Sequence, residues 1–367
     1  MSVNILESVI TKSIEHEIKL QSYKGLAENY YEQLNMTELS KKKGHGISHK
    51  FFYINCKKMN GKVHHSKNFD FILLNTGLIG GVYNFFYSAM CDPLTYPKIG
   101  YIECEKSSGI SNYDFDKKNI KFKFDNIPND ITRKFIVEHM AMFALRFAIF
   151  HELAHHFNGH VFYLKEKKGE FELSITGNDS MLKVDALDYQ TLEMDADAFA
   201  INNAMCNAIG LYEDANFLPN AKDRMVIFEL LAFSIHCFFL LLDDDNEITF
   251  DINKHKHLPA KNRQALIMSA AARFFKEYSH MTVHFKDMDY TELIWERLIK
   301  GMRHAEECYN RLTKKNHQFA HDLLNNEDLL KYTEKVLRNW EKLRPELEKY
   351  ARTVLFTDDI DISKCLI

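Results

Sequence analysis

The stretch Phe147-Ala148-Ile149-Phe150-His151-Glu152-Leu153-Ala154-His155-His156 decides how the chain is read. It contains His-Glu-x-x-His. The residues before it, from about Ile131, hold neither Pro nor Gly and are rich in Phe, Ala, Met and Leu. Such a run predicts a long, mostly buried helix, and Asn158-Gly159 supplies its stop. On a helix, His151 and His155 stand one turn apart on one face, so both imidazoles can share one metal ion, with Zn²⁺ the usual occupant. Glu152 falls beside that face. It is a poor ligand there but is well placed as a base toward a water at the metal. The alternative is an amphipathic helix with surface histidines. The apolar flanks argue against it, because buried histidines need partners.

A catalytic zinc takes three protein ligands and leaves one position open. One known pattern puts Gly three residues after the second His and a third His three further on; here those positions hold Asn158 and Val161. His160 comes one residue early and lies beyond the helix stop at Gly159. The other source is a carboxylate from a second helix. Leu192-Glu193-Met194-Asp195-Ala196-Asp197-Ala198-Phe199-Ala200 opens a helical run to about Ile209. Glu193, Asp197, Ala200 and Ala204 share one face of it. Glu193 is therefore the candidate third ligand. Asp197, one turn on, can accept a hydrogen bond from the far nitrogen of a ligating His. A solvated acidic face is the competing reading, but the alanines imply burial. Downstream, His255-Lys256-His257-Leu258-Pro259-Ala260-Lys261-Asn262-Arg263 places a Pro that suits a first helical turn. His257 and Arg263 could both face a cleft; a surface loop with a solvated Arg is the alternative.

With 367 residues the chain is expected to form one large or two medium domains. The boundaries expected are an N-terminal part over 1–68, a metal-binding domain over 69–270 and a helical C-terminal region over 271–367. Hydrophobic content of 46% is ample for a core, and a net charge of −4 gives no reason to expect nucleic acid. The 7 cysteines are odd in number and form no Cys-x-x-Cys, which suggests reduced thiols and a cytoplasmic setting. The N-terminus lacks the charged start and apolar core of a signal peptide.

Residues 3–38 read as two polar helices. The runs 51–55 and 62–65 flank Asn60-Gly61 as a hairpin. Phe69–Leu74 continues as a strand, and 77–90 as a buried helix. Ile99–Glu105 and Ile120–Phe124 alternate like strands, and 161–187 reads as irregular or hairpin. The expected sheet is small and antiparallel, and by analogy an edge strand could align an extended peptide. Met225–Leu242 approaches membrane-spanning length, but Glu229 and His236 within it favour a buried core helix. Residues 289–312 and 327–352 are amphipathic helices.

Together these residues resemble the gluzincin metallopeptidases, in which His-Glu-x-x-His on one helix is joined by Glu-x-x-Ala-Asp-x-Phe-Ala on the next. Here the second motif reads Glu193-Met194-Asp195-Ala196-Asp197-Ala198-Phe199-Ala200. Several such families carry His and then Arg six residues later, the spacing of His257 and Arg263. Pro usually follows that His directly, whereas here Leu258 intervenes. Within the group, the phage-exclusion peptidases of the Lit type look most similar, over roughly 69–265. The resemblance implies a zincin-like α+β protein, mainly α, with a long active-site helix, a small sheet and a helical C-terminal part. It implies Zn²⁺ on His151, His155 and Glu193, Glu152 as base, His257 with Arg263 at the developing oxyanion, and Asp197 in support. The expected activity is cleavage of an intracellular protein, triggered by a phage-derived or other protein factor. The rivals are a metal-bound scaffold without catalysis and a membrane-associated peptidase.

Overall fold

The structure, a computed structural model, describes residues 20–37, 48–66, 69–116, 121–168, 172–174, 185–214, 216–218, 223–242, 260–278, 291–317 and 327–355. Helix α1 spans Leu20–Asn35, α2 Thr76–Cys91, α3 Ile131–Phe157 and α4 His160–Lys168. Helix α5 spans Ala186–Glu213, α6 Val226–Leu242, α7 Ala260–Tyr278, α8 Thr291–Thr313 and α9 Glu327–Leu347. The protein is mainly helical, with strands β1 Ser48–Ile54, β2 Gly61–Ser66, β3 Phe69–Asn75, β4 Tyr113–Asp116, β5 Lys121–Phe124 and β6 Glu172–Ser174.

Helix α3 carries the His-Glu-x-x-His stretch through the middle of the fold, with α5, α2 and α6 packed against it and α1, β2 and β3 also in contact. Asp130 starts it, its side chain accepting from the Arg133 amide at 2.9 Å; this satisfies one of the donors that a helix start leaves over. Gly159 ends it at φ +83°, and a Cβ there would lie 2.8 Å from the Tyr350 Cβ. Glycine is thus required both for the left-handed backbone and for room.

The four-stranded sheet runs β1-β3-β2-β6. Strand β3 lies parallel to β1 and antiparallel to β2, and β6 pairs antiparallel with β2. The sheet is therefore mixed, and the expected hairpin of β1 with β2 does not form. The apolar run Phe69–Leu74 takes the central place between them. Asp70, Ile72 and Leu74 turn inward from it, as alternation along a strand dictates. The link from β1 to β2 instead folds over the start of α2, where the Gly77 amide donates to the Cys56 carbonyl at 2.8 Å.

Ile99–Glu105 is not a strand. Arg133, fully buried, donates to the carbonyls of Met90, Asp92, Thr95, Tyr96 and Ile99. That grip curls residues 90–99, and beyond it Ile102–Cys104 closes a short 3-10 turn in which the Glu105 amide donates to the Ile102 carbonyl at 3.0 Å, so the stretch is not extended enough to join a ladder. Strand β5 does form, paired with β4. Of 161–187, read as irregular or hairpin, residues 161–168 lie in helix α4, 172–174 form β6 and 185–187 open α5; the rest lies outside the described residues.

Helix α6 is a core helix. Its Glu229 pairs with Arg297 and Lys300 of α8, and its His236 with Glu306 at 3.3 Å. Among the described residues no helix is long and apolar enough to cross a membrane. The main apolar cluster draws on residues from Leu20 to Leu312, and a second one joins α4, α5 and α9.

Helices α6 and α8 come close together at Gly301, where a Cβ would sit 2.3 Å from the Glu229 carbonyl oxygen. Gly301→Ala should force the helices apart and destabilise the fold by about 1–3 kcal/mol. Gly210→Ala, on an open part of α5 with nothing within 4 Å, should stabilise it by about 0.5–1 kcal/mol. Urea denaturation of both variants checks the opposite signs.

Candidate metal centre

Helices α3 and α5 meet face to face, and this brings His151, His155 and Glu193 together. Their ligand atoms all lie within 4.8 Å of one another, and all three side chains are buried. The two Nε2 atoms stand 3.2 Å apart. Each is 3.3 Å from one oxygen of Glu193. Two imidazole nitrogens and a carboxylate converging on one point form a donor set that suits zinc. The spacing has a simple origin: four residues on α3 make one turn, and α5 lays Glu193 across that turn.

The outer nitrogens decide which way the inner ones present themselves. His151 Nδ1 lies 2.9 Å from Asp197 Oδ1. Asp197 in turn receives Arg263 Nε and Nη2 at 2.8 Å each, a planar two-point grip. A carboxylate accepts, so His151 Nδ1 donates, and its Nε2 is the nitrogen turned toward Glu193. Burial raises the cost of charge on Asp197, but Arg263 and His151 outweigh it and hold its carboxyl below the usual range. Burial also disfavours charge on both histidines. For His151, Glu193 and Asp197 overcome it and hold the ring up at about 9; for His155 burial prevails and takes the ring down to about 3. The point between these groups thus calls for positive charge, from a proton or from a metal ion.

Glu152 sits next to His151 on α3 and is fully buried, within electrostatic range of Arg263. Phe147 stacks on the His151 ring with centroids 6.4 Å apart, and the Arg263 guanidinium lies 4.8 Å from the Phe239 ring centre. These apolar walls lower the local dielectric and strengthen each polar contact inside.

The structure brings together His151, His155, Glu193, Asp197 and Arg263. The sequence sets Arg263 beside His257 facing a cleft. In the structure both donors of its fork are on Asp197, and Nη2 is also 3.6 Å from Glu193. Helix α7 begins at Ala260, as Pro259 suggests; His257 lies outside the described residues. Sequence reasoning missed two further sets. His156 Nε2 meets Asp70 of β3 at 2.7 Å, with the Tyr31 hydroxyl of α1 near both. His160, weighed as a ligand, has its Nδ1 3.0 Å from His155 Nδ1 and its Nε2 3.0 Å from Asp195. The doubled histidine at 155–156 was the available signal for the first set, and a histidine directly after the helix stop for the second.

No protein-family model, curated protein or solved structure matches this chain.

Purified protein should carry one Zn²⁺ per chain by elemental analysis, and His151→Ala, His155→Ala and Glu193→Ala should each lose it or hold it far more weakly. Full zinc occupancy and affinity in Glu193→Ala would remove Glu193 from the ligand set. Asp197→Ala should remain folded and bind zinc ~10–100-fold more weakly, the usual effect of losing the partner that orients a ligand.

Proposed function

We propose that this protein is a zinc-dependent peptidase of the gluzincin type. The observation that carries the reading is the buried convergence of His151, His155 and Glu193, with Glu152 beside them on the same helix. These three residues would hold the metal. When bound, zinc supplies Lewis acidity toward a carbonyl and makes nearby water more acidic. The chain's own residues supply the remaining functions. Asp197 and Arg263 keep His151 oriented. Glu152 takes a proton from the attacking water and hands it to the leaving amine, so that one peptide bond and one water become a carboxyl and an amine. The oxyanion role stays assigned to His257, since the Arg263 fork is engaged by Asp197. The resemblance to the Lit-type peptidases extends the reading to an intracellular protein substrate cut in response to phage infection.

One observation favours a second reading, a metal-bound scaffold without catalysis. The site is buried: His151 is 1% exposed, and Glu152, His155 and Glu193 are 0% exposed. Three protein ligands leave a coordination position open, but a peptide must also reach that position, and side chains so buried offer it no surface.

Glu152→Gln separates the two. It preserves size and all three proposed ligands, so zinc content and melting temperature should stay near wild type. An amide cannot accept the proton, and proteolysis should fall by ~10²–10⁴-fold. Terminal-peptide proteomics in cells expressing wild type or Glu152→Gln reads this directly, as new chain ends present only with wild type. A folded, zinc-loaded Glu152→Gln protein with an undiminished cellular effect would sink the peptidase reading in favour of the scaffold.

A further inference from the structure

The end of the described chain reaches back to the metal helix. After α9, residues 350–353 lie against the turn that closes α3. The Arg352 amide donates to the Phe157 carbonyl at 2.7 Å, and the Gly159 position has no room for a side chain because Tyr350 and Ala351 fill it. The strap is held from both sides. The Tyr350 hydroxyl donates to Glu166 of α4 at 2.8 Å, and Leu347, Ala351 and Leu355 join the apolar cluster with Val161, Leu164 and Leu192.

From this strap an unbroken line of hydrogen bonds runs to His155. Thr353 Oγ1 donates to Asn158 Oδ1 at 2.6 Å, and Asn158 Nδ2 donates to Asp195 Oδ2 at 2.6 Å. His160 Nε2 lies 3.0 Å from the same Asp195 oxygen, and His160 Nδ1 lies 3.0 Å from His155 Nδ1. The directions follow from the carboxylate. Asp195 accepts, so Asn158 turns its Nδ2 toward it and its Oδ1 toward Thr353, whose hydroxyl then donates. His160 Nε2 likewise donates to Asp195. With its proton on Nε2, the His160 ring presents an Nδ1 lone pair to the Nδ1 proton of His155. His155 is left with its Nε2 lone pair facing Glu193 and the His151 ring.

We propose that the strap at residues 350–353 is a working part of the metal site, with Thr353, Asn158, Asp195 and His160 acting as positioning residues that set the tautomer and aim of His155. This rests on the metal-centre reading above. His151 has its own support in Asp197 and Arg263, so each ligating histidine is steered by a separate line: one from α7, the other from the C-terminal strap. The C-terminal region thereby gains a role that its amphipathic sequence does not suggest.

The test measures Zn²⁺ affinity by chelator competition on the full-length chain, together with the absorption spectrum of the Co²⁺-loaded form, which reports ligand geometry independently of activity. His160→Ala should bind Zn²⁺ ~10–100-fold more weakly than wild type. Thr353→Val keeps the shape and removes only the hydroxyl, so it should weaken binding by ~2–10-fold, the effect of one net hydrogen bond. Thr353→Ser should restore wild-type affinity and spectrum. Should His160→Ala fail to fold, the Thr353 pair decides alone. Wild-type Zn²⁺ affinity and an unchanged Co²⁺ spectrum in Thr353→Val overturn the proposal while leaving the metal centre standing. A wild-type chain that takes up no Zn²⁺ overturns both.

Discussion

Polar groups buried in an apolar bundle must find partners within it, and the whole centre of this protein is arranged around that constraint. His151, Glu152, His155, His156 and His160 are each at most 1% exposed, and so are Glu193 and Asp197. None of them can fall back on bulk solvent. Three of the histidines reach elements that do not neighbour theirs in sequence: His151 meets α5, His156 meets β3, and His160 meets Asp195. The contacts that suit a metal centre also join α3 to α5 and α7, while the separate His156 set ties α3 to α1 and the sheet.

Chemistry and stability are therefore linked. Removing one member of a buried, paired set strands the other in a low dielectric, and the cost exceeds what the pair contributes in isolation. Arg263 illustrates this. Its bidentate grip on Asp197 joins α7 to α5, while Asp197 also bonds His151. Arg133 plays the corresponding part at the far end of α3. There one guanidinium gathers five carbonyls and shapes the loop that follows α2.

The sequence by itself determined the helices that matter. A run without Pro or Gly from about Ile131 to the stop at Asn158-Gly159 is α3 to within a residue or two, because helix propensity and backbone restrictions act locally. The pairing of His151 with His155, and of Glu193 with Asp197, follows from helical periodicity alone. Glu229 and His236 likewise marked α6 as a core helix, and their burial against partners on α8 bears that out.

The tertiary structure decided what periodicity does not encode. The Asn60-Gly61 turn signal is local, but whether β1 meets β2 depends on which strand competes for the central position, and the more apolar β3 takes it. Ile99–Glu105 alternates like a strand, yet a buried arginine more than 30 residues downstream claims the carbonyls that lead into it. Asp195 sits two residues from Glu193, on a different side of α5, and nothing along the chain says that His160 waits there. Thr353 lies 195 positions from Asn158, and only the packing of α9 against α4 and α5 brings them together. Local rules place side chains on the faces of their own helices; which faces meet is set by burying all of them at once.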